Sequence, residues 1–473
     1  MIFSDAEFWR FFAVVFLLYV VLPHRGQNWL LLGASYVFYG AWDWRFLGLL
    51  MFSTTADYGI GRALEASRDP VLRQRIVMLS VAINLGFLGF FKYFNFFTQS
   101  FIDLAQSFGF HPDPFTLSIA LPVGISFYTF QSMSYTIDVY RGDLKPCRNF
   151  FDFALFVAFF PQLVAGPIVR ATHLLPRVLA PRVLSWDAMG RGAVLCLTGL
   201  IKKIVIADGL APLVDTVYGG GIADPTGAQV AFATWAFALQ IYCDFSGYTD
   251  IARGVSKILG FELPVNFAQP YFATNPQEFW RRWHISLSTW LRDYLYISLG
   301  GNRGGRLKTY RNLFLTMLLG GIWHGAAWNY VLWGAYQGGL LCLHRALGWR
   351  GAASGPGPWP ILRRIGLVIL FFQVVSYGWL LFRAHSFGQI ADFTARLGSL
   401  RLADFAALDL PPLPVLVGIA CLFLWDLAIE IAGNPRFYMR WRPWARATLY
   451  ATCIYLLVFG SNTLPAAFIY FQF

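Results

Sequence analysis

The sequence predicts an all-α polytopic membrane protein of about twelve spans with two re-entrant segments around a hollow core. Three observations carry that prediction. Hydrophobic residues make up 57% of the 473-residue chain and charged residues 13%, a balance too apolar for a soluble domain of this length. Runs near spanning length, Val77 to Phe97, Ala228 to Cys243, Ile365 to Phe382 and Val415 to Ile431, are bounded by charge or proline. Each must close its backbone hydrogen bonds within itself as helix, and the alternation of a barrel strand is absent.

At the start of the chain, Phe8 to Leu22 reads as a retained anchor. Met1 to Leu22 carries Asp5 and Glu7 where a secretory signal is basic, and it lacks a small-residue cleavage site. The net charge of +12 does not point to nucleic acid, because the Lys and Arg lie in short loops between apolar runs. The loops holding Arg62, Arg68, Arg73 and Arg75, then Arg141, Lys145 and Arg148, and then Arg436 to Arg446 are therefore placed in the cytoplasm. Both termini then fall outside a bacterial inner membrane. The six cysteines, Cys147, Cys196, Cys243, Cys342, Cys421 and Cys453, stand singly, without the spacing of a zinc site or dithiol. They read mostly as small buried apolar residues.

Two stretches fit poorly as simple spans. Phe150 to Val169 is apolar but flanked by Arg148 and Arg170, and Pro161, Gly166 and Pro167 interrupt it. Phe279 to Leu299 opens with Arg281, Arg282 and His284, carries Arg292 and Asp293, and runs into the basic loop Asn302 to Arg311. Charged or irregular backbone survives at membrane depth only inside protein or beside a wet cavity. No internal repeat is visible, which weakens a transporter built of duplicated halves. Nor is any hydrophilic stretch long enough for a second folded domain, so residues 1–473 read as a single membrane domain and chemistry in the outer water is left to another protein.

His324 lies in the apolar run Leu318 to Trp328, beside Gly320, Gly321 and Gly325. An intramembrane ionisable residue is a candidate functional site, and an imidazole there can take a proton from an alcohol as general base; a packing histidine bonded to a neighbouring helix is the other reading. His284, forty residues earlier, can face the same cavity from another element, or serve as an interfacial histidine. Trp280, Trp283 and Trp290 read as interfacial anchors. The stretch Gly300 to Lys308 places Arg303, Arg306 and Lys308 among glycines, so it can cradle the phosphates of coenzyme A or be a flexible cytoplasmic loop. Asp244 and Asp250 read as structural partners for Arg253 or Arg292. A nucleophile elbow, a Walker loop and a metal-ligand cluster are all absent.

Phe160 to Ile168, the block from Trp280 to Tyr296, Gly300-Gly301-Asn302-Arg303 and Gly320 to Gly325 together resemble the membrane-bound O-acyltransferase (MBOAT) superfamily, most closely its bacterial alginate O-acetyltransferase branch. The likeness is densest from about Leu121 to Trp333. It implies a helical ring around a central tunnel, with His324 the essential histidine and His284 a second polar site. It also implies acetyl-CoA or another acyl thioester as co-substrate, with no tightly bound cofactor and no metal. Relatives acetylate alginate, peptidoglycan or cellulose, or pass D-alanine to teichoic acids. They work with an extracytoplasmic partner of the SGNH, serine-histidine-aspartate hydrolase-like class. The last six residues, Phe468 to Phe473, hold four aromatics and by composition anchor the chain in the outer interface. They also look like the tail of acyl-relay peptides that accompany this family, where the tyrosine matching Tyr470 carries the acyl group as an ester. Two other classes stay open on residues alone: a channel or transporter without covalent chemistry, and an acyltransferase acting on lipid or protein.

Overall fold

The computed structural model describes residues 1–112, 115–117, 119–348, 358–460 and 468–469, and the regular structure among them is helical throughout. It divides into two compact units: Met1–Val194 with Ala252–Pro264, and Leu195–Ile251 with Val265–Phe473. Among the described residues, three stretches are long and apolar enough on their own to cross a membrane, Pro70–Ser107, Pro358–Arg383 and Leu413–Ala432. They contain three of the four apolar runs expected from the sequence. The fourth lies in a single helix, Gly227–Ile258, whose second half carries Asp244, Asp250, Arg253 and Lys257.

The helices follow in order as α1 (Ala6–Val21), α2 (His24–Gly40), α3 (Arg45–Ala66), α4 (Pro70–Leu88), α5 (Phe94–Ser107), α6 (Ile125–Arg141), α7 (Phe150–Ala158), α8 (Phe160–Leu163), α9 (Ala171–Leu179) and α10 (Trp186–Leu200). Asp69 caps α4 by accepting from the Val71 amide at 3.0 Å, and Pro70 occupies the first turn, where no N–H is missed. In the first unit α3, α4 and α6 meet at buried Asp57. Ser80 Oγ donates to one carboxylate oxygen at 2.6 Å, while Asn84 Nδ2 at 2.8 Å and Ser132 donate to the other.

The expected irregularity at Phe150 to Val169 is present, with its break displaced. The helix breaks at Phe159, where ψ swings to 106°, and Pro161 lies in the first turn of α8 rather than ending α7. Proline costs nothing there because a first-turn amide has no intrahelical acceptor. The carbonyl of Phe156 accepts from Gln131 Nε2 at 2.7 Å and Gln162 Nε2 at 2.8 Å. The break is therefore satisfied inside protein, as non-helical backbone at membrane depth requires.

The second unit holds a π-helical turn, Ile201–Ala207, then α11 (Asp208–Tyr218), most of α12 (Gly227–Ile258), α13 (Pro276–Arg282), α14 (Ile285–Trp290), a second π-helical turn Leu291–Tyr296, α15 (Arg306–His324), α16 (Trp328–Ala346), α17 (Pro358–Arg383), α18 (Phe387–Gly398), α19 (Leu413–Ala432) and α20 (Pro443–Phe459). Asn275 caps α13 by accepting from the Glu278 amide at 2.9 Å, and Glu278 reaches back to the Thr274 amide at 2.9 Å. Arg282 then forks onto Glu430 of α19 at 2.7 and 3.0 Å, a bidentate clamp on α13. Cys147, Cys196 and Cys243 are buried as expected, whereas Cys421 is exposed.

Candidate active site

His324 is the last residue of α15, and α15 is set by how closely it meets α16. A Cβ on Gly334 would lie 2.7 Å from the Met317 carbonyl oxygen and 3.0 Å from Leu318 Cα, and one on Gly321 would strike the Tyr330 carbonyl. These neighbours are backbone, so a side chain at either glycine forces the helices apart. Gly334→Ala is expected to lower stability by about 1–3 kcal/mol, seen as an earlier thermal unfolding midpoint of the purified protein in detergent. Unchanged unfolding would show that the helices are free to separate.

The close pairing leaves His324 only 5% exposed. Trp333 stands edge-on to its ring at 5.0 Å, Phe382 at 5.5 Å and Trp323 at 5.1 Å. Each such aromatic contact contributes about 0.5–1.5 kcal/mol beyond its buried area, so together they fix the ring and keep bulk water from it. Trp333 and Trp379 stack at 6.1 Å, and Trp379 meets Trp283 at 4.8 Å, extending the shell into the core.

His284 is fully buried, at 0% exposure. It caps α14 with φ 42° and ψ 54°, and only Gln269 shares a positive φ with it among the described residues other than glycine. Left-handed backbone is costly for a side chain bearing a Cβ, and it persists where surrounding structure over-determines it. Here the surroundings are a two-stranded clasp, with the Ala268 amide donating to the Arg282 carbonyl and the Ile285 amide to the Asn266 carbonyl, both at 2.9 Å. The Ser286 amide donates to Asn266 Oδ1 at 3.1 Å, which identifies that atom as the oxygen. His284 Nδ1, 3.3 Å from the same oxygen, is therefore the protonated nitrogen in the neutral ring, and Nε2 carries the lone pair. Phe245 stands edge-on to His284 at 4.6 Å, and Trp323 lies 6.2 Å away. Trp323 thus touches both histidines, which the sequence separates by α14, a π-helical turn and a glycine-rich loop.

Arg303, Arg306 and Lys308 are exposed, and none forms an ion pair among the described residues. They cluster where Gly305, at φ +87°, turns the chain into α15. His324 ends the same helix, so a rise of about 1.5 Å per residue puts the basic cluster about 27 Å from it. Tyr470 falls outside the described residues. Two other expectations are corrected. Trp283 and Trp290 are buried, not interfacial, and Trp283 stacks on Phe279 and meets Trp379 at a tilt. Asp244 pairs with Lys203 at 2.8 Å, and Arg292 with Asp293 at 2.6 Å, so Asp244 does not use an arginine.

The family model described as MBOAT, membrane-bound O-acyltransferase family, matches residues 147–382. The chain is 44% identical to the probable alginate O-acetylase AlgI of Azotobacter vinelandii over 93% of this chain and 86% of that protein. The chain belongs to the membrane-bound O-acyltransferase family. This membrane O-acyltransferase is also 44% identical to the probable alginate O-acetylase AlgI of Pseudomonas aeruginosa, over 93% of this chain and 82% of the relative. It is 36% identical to a peptidoglycan O-acetyltransferase of Helicobacter pylori over 79% of this chain and 75% of the relative. Membership makes the enzyme a multi-pass acyltransferase and removes the channel reading. Polar residues around the candidate site have no counterpart in the sequence reading: Asn266, whose Oδ1 lies 3.3 Å from His284 Nδ1, and Lys203 with Asp208. Paired lysines in the apolar stretch around Ile201 were a legible signal of a buried charge site. Asn266 gives none, since a lone asparagine in a loop is ordinary.

Proposed function

We propose that this enzyme passes acetyl groups from a cytoplasmic thioester, acetyl-CoA or a related acyl carrier, across the inner membrane for O-acetylation of alginate. The observation that carries the reading is His324 in its aromatic shell at one end of α15, with the free basic cluster Arg303, Arg306 and Lys308 at the other. Phosphates of the donor bind the basic end, and the thioester reaches along the helix to the histidine. Charge bias puts that loop in the cytoplasm and both termini outside, with about twelve crossings and two re-entrant segments as the membrane topology of this reading.

In the transfer step His324 takes the proton from the Tyr470 hydroxyl as its oxygen attacks the thioester carbonyl. The C–S bond breaks, the thiolate leaves with the proton held by His324, and the acetyl group rests on Tyr470 as an ester. Phenoxide, with a pKa of about 10, leaves more readily than a sugar alkoxide, so the ester remains a competent donor. His284, held by Asn266, orients the substrates. An extracytoplasmic SGNH-type partner accepts the acetyl group and delivers it to the polysaccharide.

Membranes with and without the enzyme, given its partner, alginate and isotope-labelled acetyl-CoA, test the reading. Label is expected on alginate hydroxyls only when the enzyme is present. Label confined to lipid or to other polypeptides would assign a different acceptor.

A further inference from the structure

Near Tyr470 two residues of the C-terminal segment are described, Phe468 and Ile469, and both are buried. The Ile469 amide donates to Asp244 Oδ2 at 2.7 Å, across 225 residues of sequence. The other oxygen of that carboxylate sits 2.8 Å from Lys203 Nζ, and Lys203 is also held by Asp208 at 2.7 Å. All three charged side chains are buried. The carboxylate is thus pinned from one side by a cation while its remaining oxygen grips main chain. Tyr248, one turn further along α12, meets the Phe468 ring at 4.7 Å, and Phe245 meets it at 6.3 Å. Phe245 is the same ring that stands edge-on to His284 at 4.6 Å.

We propose that Asp244, Phe245 and Tyr248 form a docking cradle for the chain's own C-terminal segment, in which Asp244, braced by Lys203, positions Tyr470 by gripping the Ile469 amide. The inference rests on the reading of Tyr470 as the acyl acceptor. A charged acceptor on a backbone N–H makes one of the stronger hydrogen bonds, and it fixes register independently of the side chain at that residue. Consecutive Cα atoms stand about 3.8 Å apart, so holding Ile469 fixes where Tyr470 begins. Phe468 supplies the apolar half of the grip. Lys203 and the π-helical turn that bears it then have a purpose, because a π-bulge re-aims side chains at functional sites. Asp244 is a positioning residue, since it acts on the acceptor through the neighbouring peptide.

Hydrogen exchange of the purified full-length enzyme tests the cradle by itself. The C-terminal peptide of the wild type is expected to keep a slowly exchanging amide, which Asp244→Ala converts to fast exchange. Because Asp244→Ala removes one of the two carboxylates that hold buried Lys203 and can unfold the protein, the decisive variant is Ile469→Pro. It removes the N–H, fixes φ and replaces the buried Ile469 side chain while leaving the Lys203, Asp208 and Asp244 cluster whole, so Ile469→Ala, which loses the side chain but keeps the N–H, is measured beside it and is expected to keep the ester. Misplacing a reacting group by an ångström costs up to about a hundredfold, so Ile469→Pro is expected to lower acetyl ester on the tail peptide at least tenfold at equal protein levels. The conservative Ile469→Val keeps the amide and restores the ester. A C-terminal peptide unprotected in the wild type, or full ester formation in Ile469→Pro, overturns the cradle. A protected tail with wild-type alginate acetylation in Tyr470→Phe instead removes the relay role of Tyr470, so the two failures are told apart.

Discussion

His324→Ala is expected to abolish alginate acetylation, because loss of a positioned general base removes a rate factor of about a hundred to ten thousand. The effect falls on chemistry rather than on insertion. His324 closes α15, and the glycine contacts that seat that helix against α16, at Gly321, Gly334 and Gly338, do not involve the imidazole. Alanine also empties space among Trp333, Phe382 and Trp323, so a second variant, His324→Gln, separates cavity from catalysis. Glutamine fills most of the volume and cannot take a proton. Both variants are expected in membranes at wild-type amounts, with acetyl transfer from labelled acetyl-CoA at background. Near-normal transfer in either would move the base elsewhere.

Tyr470→Phe is the second large effect. The substitution keeps an aromatic ring in the tail and deletes the oxygen proposed to accept the acetyl group. An interfacial anchor works without the hydroxyl, whereas a relay is stopped. The expected result is loss of alginate acetylation with undiminished protein, together with loss of the labelled ester that the relay predicts on the wild-type tail peptide, read by mass spectrometry. Wild-type acetylation of the glycan in this variant would make the acceptor at His324 some other hydroxyl.

Much of the fold was legible because lipid leaves the backbone few choices. Three apolar runs fall in the stretches able to cross a membrane on their own, and both irregular segments contain the helix breaks their charges and prolines foretold. The break at Phe159 lay two residues from the proline that signalled it, since proline is as suited to opening a helix as to ending one. Interfacial and core tryptophans have the same composition, so Trp283 was placed at the rim when it lies against Trp379. For the candidate site, His324 was named as an ionisable group in apolar sequence, and His284, beside two arginines, as a residue able to face the same cavity and the second polar site that the family resemblance implies. What brings them to one tryptophan, Trp323, is tertiary. The Lys203 and Asp244 pair was missed because it joins the turn after α10 to α12, and pairing of this kind has no local pattern.

The left-handed backbone at His284 has a consequence for how the protein tolerates change. A residue with a Cβ in this region carries about 1–2 kcal/mol of conformational strain, which glycine would not carry. Substitution of glycine at 284 relieves the backbone while deleting the imidazole that Asn266 orients. The imidazole is fully buried against Phe245, so its loss also leaves a cavity that costs about 2–5 kcal/mol, more than the strain relieved. The packing of the side chain therefore holds its own backbone in the unfavourable conformation, and a screen for heat-resistant variants is expected to keep a bulky residue at this position.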